Sequence, residues 1–280
     1  MSGTLFVVAT PIGNLADLST RAAEVLAQVD LIAAEDTRHT GGLLSHLMLR
    51  KPLFALHDHN EGEAAETLLN RLEAGENIAL VSDAGTPLVS DPGYRLVDGA
   101  HERGIPVSPL PGPSAAVAAM SAAGLPSDRF AFEGFLPNKS TARRQQLAAL
   151  VSESRTLVFF ESRHRINDSV GDMVEAFGAG RCACIARELT KLHEQIERAT
   201  LGDLHQALVA GDIDQRGEFV VVVEGSAGAS DTNIDSDRLL LALADKLPAR
   251  DVAKVAADVT GERRNALYAR LLELTQLSQT

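Results

Sequence analysis

Apolar residues in the first hundred or so positions come in short β-prone runs: LFVVA at 5–9, LIAA at 31–34, LFAL at 53–56, IALVS at 78–82 and PVSPL at 106–110. Such runs, short and bounded by breakers, predict strands rather than buried helices. Between them the period lengthens. Ala22, Val25, Leu26 and Val29 recur at helical spacing, and residues 63–72 form a polar-faced helical stretch stopped by Gly75. The alternation predicts an α/β layered domain with mostly parallel strands over residues 1–123, closing on a helix opened by Pro113 and Ser114.

A Gly-Leu-Pro-Ser break at 124–127 introduces a second set of runs, RFAFEGF at 129–135, TLVFF at 156–160, CACIA at 182–186 and EFVVVVEG at 218–225. These predict a second α/β domain over 124–225. The segment 226–237, SAGASDTNIDSD, has the small, polar composition of a flexible linker. Beyond it Val252, Val255, Ala256 and Val259, then Leu267 and Leu271 after Gly261, predict helix, turn, helix in an all-α C-terminal domain over 238–280. That pattern serves packing more often than DNA reading, and no DNA partner is expected.

At 280 residues, 45% apolar and 23% charged, the chain can bury its own core without staples. No apolar stretch approaches the roughly 18 residues of a membrane span, and MSGTLFVVAT lacks a basic region ahead of its apolar run, so a cytoplasmic protein is expected. Cys182 and Cys184 point the same way in an extended segment, which predicts reduced, structural thiols and no metal site. A net charge of −12 repels phosphate backbones, so any RNA contact must be local. Positive residues cluster at Lys139, Arg143 and Arg144, at Arg163 to Arg165, and at Arg250, Lys254, Arg263, Arg264 and Arg270.

Neither G-x-G-x-x-G after the first strand nor G-x-x-x-x-G-K-[ST] occurs, which argues against a standard dinucleotide fold and a P-loop. Three breaker-rich loops stand at strand ends instead. The first is TPIGNL at 10–15, where Pro11 stiffens the chain and Gly13 admits close approach. The second, VSDAGTPLVSDPGY at 81–94, crowds carboxylates, glycines and prolines at the end of a buried strand, a costly arrangement unless it binds something. Asp83 can accept hydrogen bonds from a ribose or amino group, with Gly85 and Thr86 offering further partners; Asp91 can equally be a helix cap. The third is PGPSAA at 111–116, where Ser114 and Ala115 leave room and donors beside a ligand.

In this order, and followed by FEGFLP at 132–137, the loops resemble the tetrapyrrole-methylase superfamily, whose members bind S-adenosylmethionine between two α/β domains. AEDTRHTGGLL at 34–44, HDHNE at 57–61 and FFESRHR at 159–165 resemble, more narrowly, the ribosomal RNA small subunit methyltransferase I group. The resemblance covers residues 3–225 and implies methyl transfer to a cytidine 2′-hydroxyl in the decoding region of 16S rRNA, on the small subunit, by a homodimer. It implies a cofactor site formed by Pro11, Ser82, Asp83, Ala84, Gly85, Thr86, Ser114 and Ala115, covered by Phe160 from the second domain. The superfamily's usual G-G-D ahead of the second loop is Val81-Ser82-Asp83 here.

A ribose hydroxyl is a weak nucleophile, so a nearby base should help. Glu35, Asp36, His57, His59 and Glu161 stand beside the relevant strand ends, and the sequence does not choose among them. Arg38, Arg163 and Arg165 suit phosphate, since guanidinium grips it in a bidentate way. Two other readings keep the same loops: a methyltransferase acting on a tetrapyrrole or another small molecule, and a non-catalytic RNA-binding assembly protein.

Overall fold

A computed structural model describes residues 2–226, 236–244, 246–260 and 262–277. It contains two compact units, one made of residues up to Val151 with Arg155–Glu224, the other of Ser152–Ser154 with residues from Gly225 onward.

Two sheets build the larger unit. The first holds β1 (Leu5–Val8), β2 (Leu31–Ala34), β3 (Leu53–Ala55), β4 (Ile78–Val81) and β5 (Val107–Leu110), in the order β3-β2-β4-β1-β5 and all parallel. Its strands are apolar on both sides because helices cover both faces. Ile78 and Leu80 of β4 join α3 (Glu61–Glu73) and α4 (Tyr94–Glu102) through Leu68, Leu72 and Leu96. Ala79 and Val81 join α1 (Thr20–Gln28) and α2 (Thr37–His46) through Leu26 and Leu44. Local chemistry starts these helices where they are needed. Ser19 accepts from the Ala22 N–H at the head of α1, and Asp36 from the Arg38 N–H at the head of α2.

The second sheet runs β6-β7-β10-β8-β9, from β6 (Phe130–Phe135), β7 (Thr156–Ser162), β8 (Cys182–Arg187), β9 (Gln195–Thr200) and β10 (Glu218–Val223). Only the β6–β7 pair is parallel; the other three are antiparallel. Alternate residues of β10 serve opposite faces. Phe219, Val221 and Val223 pack under α6 (Ser140–Ala149), α7 (Ile166–Phe177) and α8 (Leu201–Ala210), while Val220 and Val222 pack under α5 (Ala115–Ala123). Ala116, Ala119 and Met120 of α5 thus share a core with the second sheet, although the sequence pattern groups this helix with the first. Cys182 and Cys184 are unbridged and lie on that same face.

Among the described residues the smaller unit holds three helices, α9 (Ser236–Ala244), α10 (Ala249–Thr260) and α11 (Arg264–Leu277), closed on Leu240, Val252, Ala256, Leu267 and Leu271. The pattern anticipates α10 and α11. α9 begins at Ser236, inside the segment expected to be a linker, and residues 227–235 of that segment lie outside the described residues. Among the described residues no helix is long and apolar enough to cross a membrane, and no His, Cys, Asp and Glu side chains gather as a metal site.

Candidate functional site

Parallel strands deliver their following loops to one edge, which is where α/β proteins place ligands. The loops after β1 and β4 are stitched together there. Thr10 N–H donates to the Gly85 carbonyl at 2.9 Å, and Gly85 N–H to the Thr10 carbonyl at 3.0 Å. Gly85 takes φ 83°, a conformation that side-chain-bearing residues avoid. The loop after β2 is joined to the same piece: Asp83 N–H donates to Glu35 Oε2 at 3.4 Å, and Asp36 N–H to Asp83 Oδ1 at 3.0 Å. Thr86 Oγ1 donates to the Pro113 carbonyl at 3.1 Å and brings in the loop after β5.

This rim faces the end of β7, the turn after β8 and the start of β10 across a cleft of about 640 Å³. Phe160 closes one wall, edge-on to Phe132 and Phe135 with centroids 4.8 and 5.6 Å away. Leu88 (φ 72°) and Ser90 (φ 68°) on one side, and Glu188 (φ 50°) and Thr190 (φ 66°) on the other, hold left-handed backbone. Such residues cost on the order of 1–3 kcal/mol each and gather at ligand sites. Lys191 spans the two sides. Its ammonium is 2.8 Å from both Glu188 Oε1 and Glu218 Oε2, and its chain lies so near Gly13 that a Cβ there would come within 2.4 Å of Lys191 Cγ.

Glu35, Asp83 and Asp91 give the cleft negative character. Burial raises the Glu35 carboxyl above its ordinary value, against the Asp83 N–H, and the charges of Asp83, Asp58 and Asp36 add to the rise. Burial also pushes Asp91 up to about 6, against a hydrogen bond from Ser82, helped by Glu35, Asp83 and Asp58. Of the six carboxyl groups lining the cleft, Glu161, Glu188 and Glu218 are ion-paired, which leaves Glu35, Asp83 and Asp91 to favour a positively charged ligand.

Seven of the nine predicted cofactor residues meet across this cleft. Asp83, Ala84, Gly85 and Thr86 line one side with Ser114 and Ala115, and Phe160 lies opposite. Ser114 is the N-cap of α5 without a side-chain capping bond, so Pro113 lies ahead of the helix rather than in its first turn. Asp91 is not a cap either, since Gly93 takes that position before α4. Pro11 and Ser82 line a second cavity of about 390 Å³ beside α2, and Asp83 lines both.

Three predicted reactive residues, Glu161, Arg165 and Asp36, prove to be committed elsewhere. Glu161, lining the cleft but almost wholly buried, takes Arg165 Nη2 at 2.6 Å, the Ser162 N–H at 2.7 Å and the Ser169 hydroxyl at 2.5 Å. Arg165 also donates to the Leu136 carbonyl and to Asn138, which makes it an internal brace rather than a phosphate grip. Asp36 is bound to Arg38 at 2.7 Å, and that guanidinium holds its carboxyl well below the usual range, where it makes a poor base. Arg38 remains exposed at the rim of the second cavity.

His57 does not line the cleft. Its Nδ1 is buried without a hydrogen-bond partner among the described residues, and its ring stands edge-on to His59 at 6.0 Å. The rest of HDHNE works on the backbone: Asn60 accepts from the His57 N–H, and Glu61 from the Gly93 and Arg95 N–H groups at the head of α4. Arg163 is exposed, lines the cleft and, among the described residues, bonds to the neighbouring His164 ring. Sequence reasoning missed Glu188, Lys191 and Glu218, which follow no motif, and left Asp91 between a binding loop and a helix cap.

Residues 4–205 match the family Tetrapyrrole (Corrin/Porphyrin) Methylases, and residues 230–275 match the RsmI C-terminal HTH domain. A protein of Escherichia coli O157:H7 called Ribosomal RNA small subunit methyltransferase I is 55% identical over 272 residues, spanning 97% of this chain and 95% of that one. Its namesake in Xylella fastidiosa Temecula1 is 54% identical, spanning 95% and 98%. Among solved structures, the methyltransferase CobJ is similar with TM-score 0.60 at 20% identity, over 81% of this chain and 95% of that one. A uroporphyrin-III C-methyl transferase from Thermus thermophilus, complexed with S-adenyl homocysteine, gives 0.54 at 17% identity, over 79% and 97%.

Proposed function

Since the chain belongs to the tetrapyrrole methylases and, within them, to the ribosomal RNA small subunit methyltransferase I family, we propose that it methylates the 2′-hydroxyl of a cytidine ribose in the decoding region of 16S rRNA. It is an S-adenosylmethionine-dependent methyltransferase of ribosomal RNA. The finer reading includes the small subunit as substrate and a cytoplasmic homodimer as the working form, as the family resemblance implies; the cleft at the edge of the parallel sheet supports its methyl-transfer part.

The residues there fit the cofactor. A volume of about 640 Å³ lies within the ~300–1,000 Å³ usual for small-molecule sites. The uncapped head of α5 offers the Ser114 hydroxyl and main-chain N–H groups to a carboxylate or to ribose hydroxyls. Phe160 and Ala115 offer apolar contact, and Asp83, Asp91 and Glu35 favour a cation. When bound, S-adenosylmethionine supplies a methyl group made electrophilic by a positively charged sulfur.

Glu35 is assigned as acceptor of the hydroxyl proton. Alone among the predicted bases it lines the cleft without an ion pair, and its raised carboxyl lies nearer to working pH, as a base requires. Most of the remaining rate would come from holding donor and acceptor in contact. Arg163 would take an RNA phosphate at the mouth, and the exposed Arg250, Lys254 and Arg263 of the smaller unit would add local attraction in an acidic protein.

The test is transfer of radiolabel from S-adenosylmethionine to small ribosomal subunits, to free RNA and, separately, to a tetrapyrrole. Label on a cytidine ribose of subunit RNA is the expected result. Label on a base or on the macrocycle, or cofactor binding without transfer, would overturn the reading.

A further inference from the structure

Phe135 is the most exposed of the nine phenylalanines, at 54%, yet it lines the cleft. Its placement requires an irregularity in β6. Strict alternation would send position 135 to the face of Ala131, under α6, α7 and α8. Instead the pairing with β7 slips by one residue between Phe132 and Gly134, so that Phe135 stands beside Phe160 as Phe132 stands beside Val158. Gly134 makes the slip with φ 65°, and a Cβ there would come within 3.1 Å of Ser90 Oγ. A bulge of this kind gives up ladder pairing, and beside a site it serves to re-aim a side chain. Here it turns a phenylalanine away from the core and into the cleft.

We propose that Phe135 is a stacking platform for a base of the RNA strand next to the methylated nucleotide, with Lys139 and Arg163 taking the phosphates of that strand. The proposal rests on the ribosomal RNA methyltransferase reading above and adds to it how the strand is held on the side of the second sheet.

Charge points to the occupant. Arg165 ties residues 136–138 to the turn after β7, through the Leu136 carbonyl at 2.9 Å and through Asn138, which sets Lys139 and Arg163 on adjoining segments. The other cations of these segments are spent, Arg143 and Arg144 on Asp172 and Arg165 on Glu161. Lys139 and Arg163 are exposed and have no acidic partner among the described residues. In a chain of net charge −12, two uncommitted cations beside an open aromatic ring favour an anionic partner that carries flat faces of its own. Unpaired RNA offers both, since its bases stack on aromatic side chains while basic groups follow the backbone. The acceptor ribose is assigned to Glu35 on the facing rim, so the base on Phe135 belongs to a neighbour in the strand.

Phe135→Leu keeps apolar volume and removes the aromatic face, whereas Phe135→Trp enlarges that face. Both changes fall at an exposed position and should fold as the wild type does. Stacking of one base on an aromatic ring is worth about tenfold or more in affinity. Phe135→Leu should therefore raise KM for small ribosomal subunits by that factor, with kcat and calorimetric affinity for S-adenosylhomocysteine unchanged. Phe135→Trp should keep the wild-type KM or lower it. Lys139→Gln should raise KM at low salt and lose that effect at high salt. With p-benzoylphenylalanine in place of Phe135, irradiation on small subunits should cross-link the protein to RNA beside the methylated nucleotide.

A wild-type KM in Phe135→Leu, a loss shared equally by Phe135→Trp, weakened S-adenosylhomocysteine binding in Phe135→Leu, or cross-linking to ribosomal protein alone or to nothing would each overturn the platform. A wild-type KM in Lys139→Gln at every salt concentration would overturn the phosphate role of that lysine. If label enters a base of subunit RNA and the cross-link lies beside that base, the platform stands and the 2′-hydroxyl reading fails. If label enters a cytidine ribose as efficiently with Phe135→Leu as with the wild type, the reading stands and the platform fails.

Discussion

Arg165 Nη2 lies 2.6 Å from Glu161 Oε1, with the carboxylate side chain only 1% exposed and the guanidinium side chain 18%. The pair joins the end of β7 to the head of α7, and Glu161 reaches further to Ser169 inside that helix. Removing one partner of a buried pair strands the other charge, at about 3–5 kcal/mol. Arg165→Ala should lose stability of that order in denaturant titration. Arg163→Ala, at an exposed side chain, should unfold like the wild type while methylating subunits more slowly. Equal stability in both variants would contradict the division of labour between these two arginines.

Asp83 has a structural task whatever it binds, because its Oδ1 accepts the Asp36 N–H. Asp83→Asn keeps an acceptor there; Asp83→Ala leaves the N–H unmet, at about 1–3 kcal/mol. Thermal unfolding should therefore show a loss in the alanine variant that asparagine largely restores. Cofactor affinity should fall in both, since both remove the charge. Calorimetric affinities equal to wild type would take this carboxylate out of the cofactor site.

Asp91, pushed up to about 6 by burial, makes the cleft sensitive to pH. Its folded value lies above its unfolded one, so it contributes stability that is complete below about 4 and is lost as pH rises through about 6. Asp91→Asn should thus gain stability over the wild type on going from pH 5 to pH 7.5. Over the same range the wild type should increasingly prefer the positively charged S-adenosylmethionine to neutral S-adenosylhomocysteine, as the carboxylate ionises beside Glu35 and Asp83. An asparagine variant with an equally steep preference would show that another group sets it.

Phe160 meets Phe132 and Phe135 edge-to-face and forms cleft wall. Phe160→Ala should weaken cofactor binding. It should also cost about 0.5–1.5 kcal/mol of stability from the lost ring contacts beyond area burial. Phe160→Tyr, which keeps the ring, should recover most of the stability. If alanine leaves cofactor affinity unaltered, the ring only packs.

Much of this architecture is legible where burial writes an unambiguous pattern. VVVV in β10 reads as a strand because helices cover both of its faces, and Ile78–Val81 reads so for the same reason. QIERAT is illegible because β9 is the polar outer strand of its sheet, with Glu197 and Arg198 exposed. The packing of α5 is hidden since AAVAAMSAA is apolar all round and names no preferred side. α9 starts inside a segment whose composition suggests a linker. In the site, the loop motifs located one wall of the cleft through their breakers. Partnerships did not show: Glu161 and Arg165 look like base and phosphate ligand until the turn between them folds one onto the other. Asp91 needed its surroundings, because burial and neighbouring carboxylates, not its neighbours in sequence, raise its carboxyl.

The two hydrogen bonds between Thr10 and Gly85 make segments 10–15 and 82–93 a single mechanical part, although about seventy positions separate them along the chain. Neither segment is therefore an independent module. Engineering a new acceptor preference by grafting loops from a relative should succeed only when both are transplanted together, since a mismatched pair would lose the stitch that holds the two loops at one rim of the cleft.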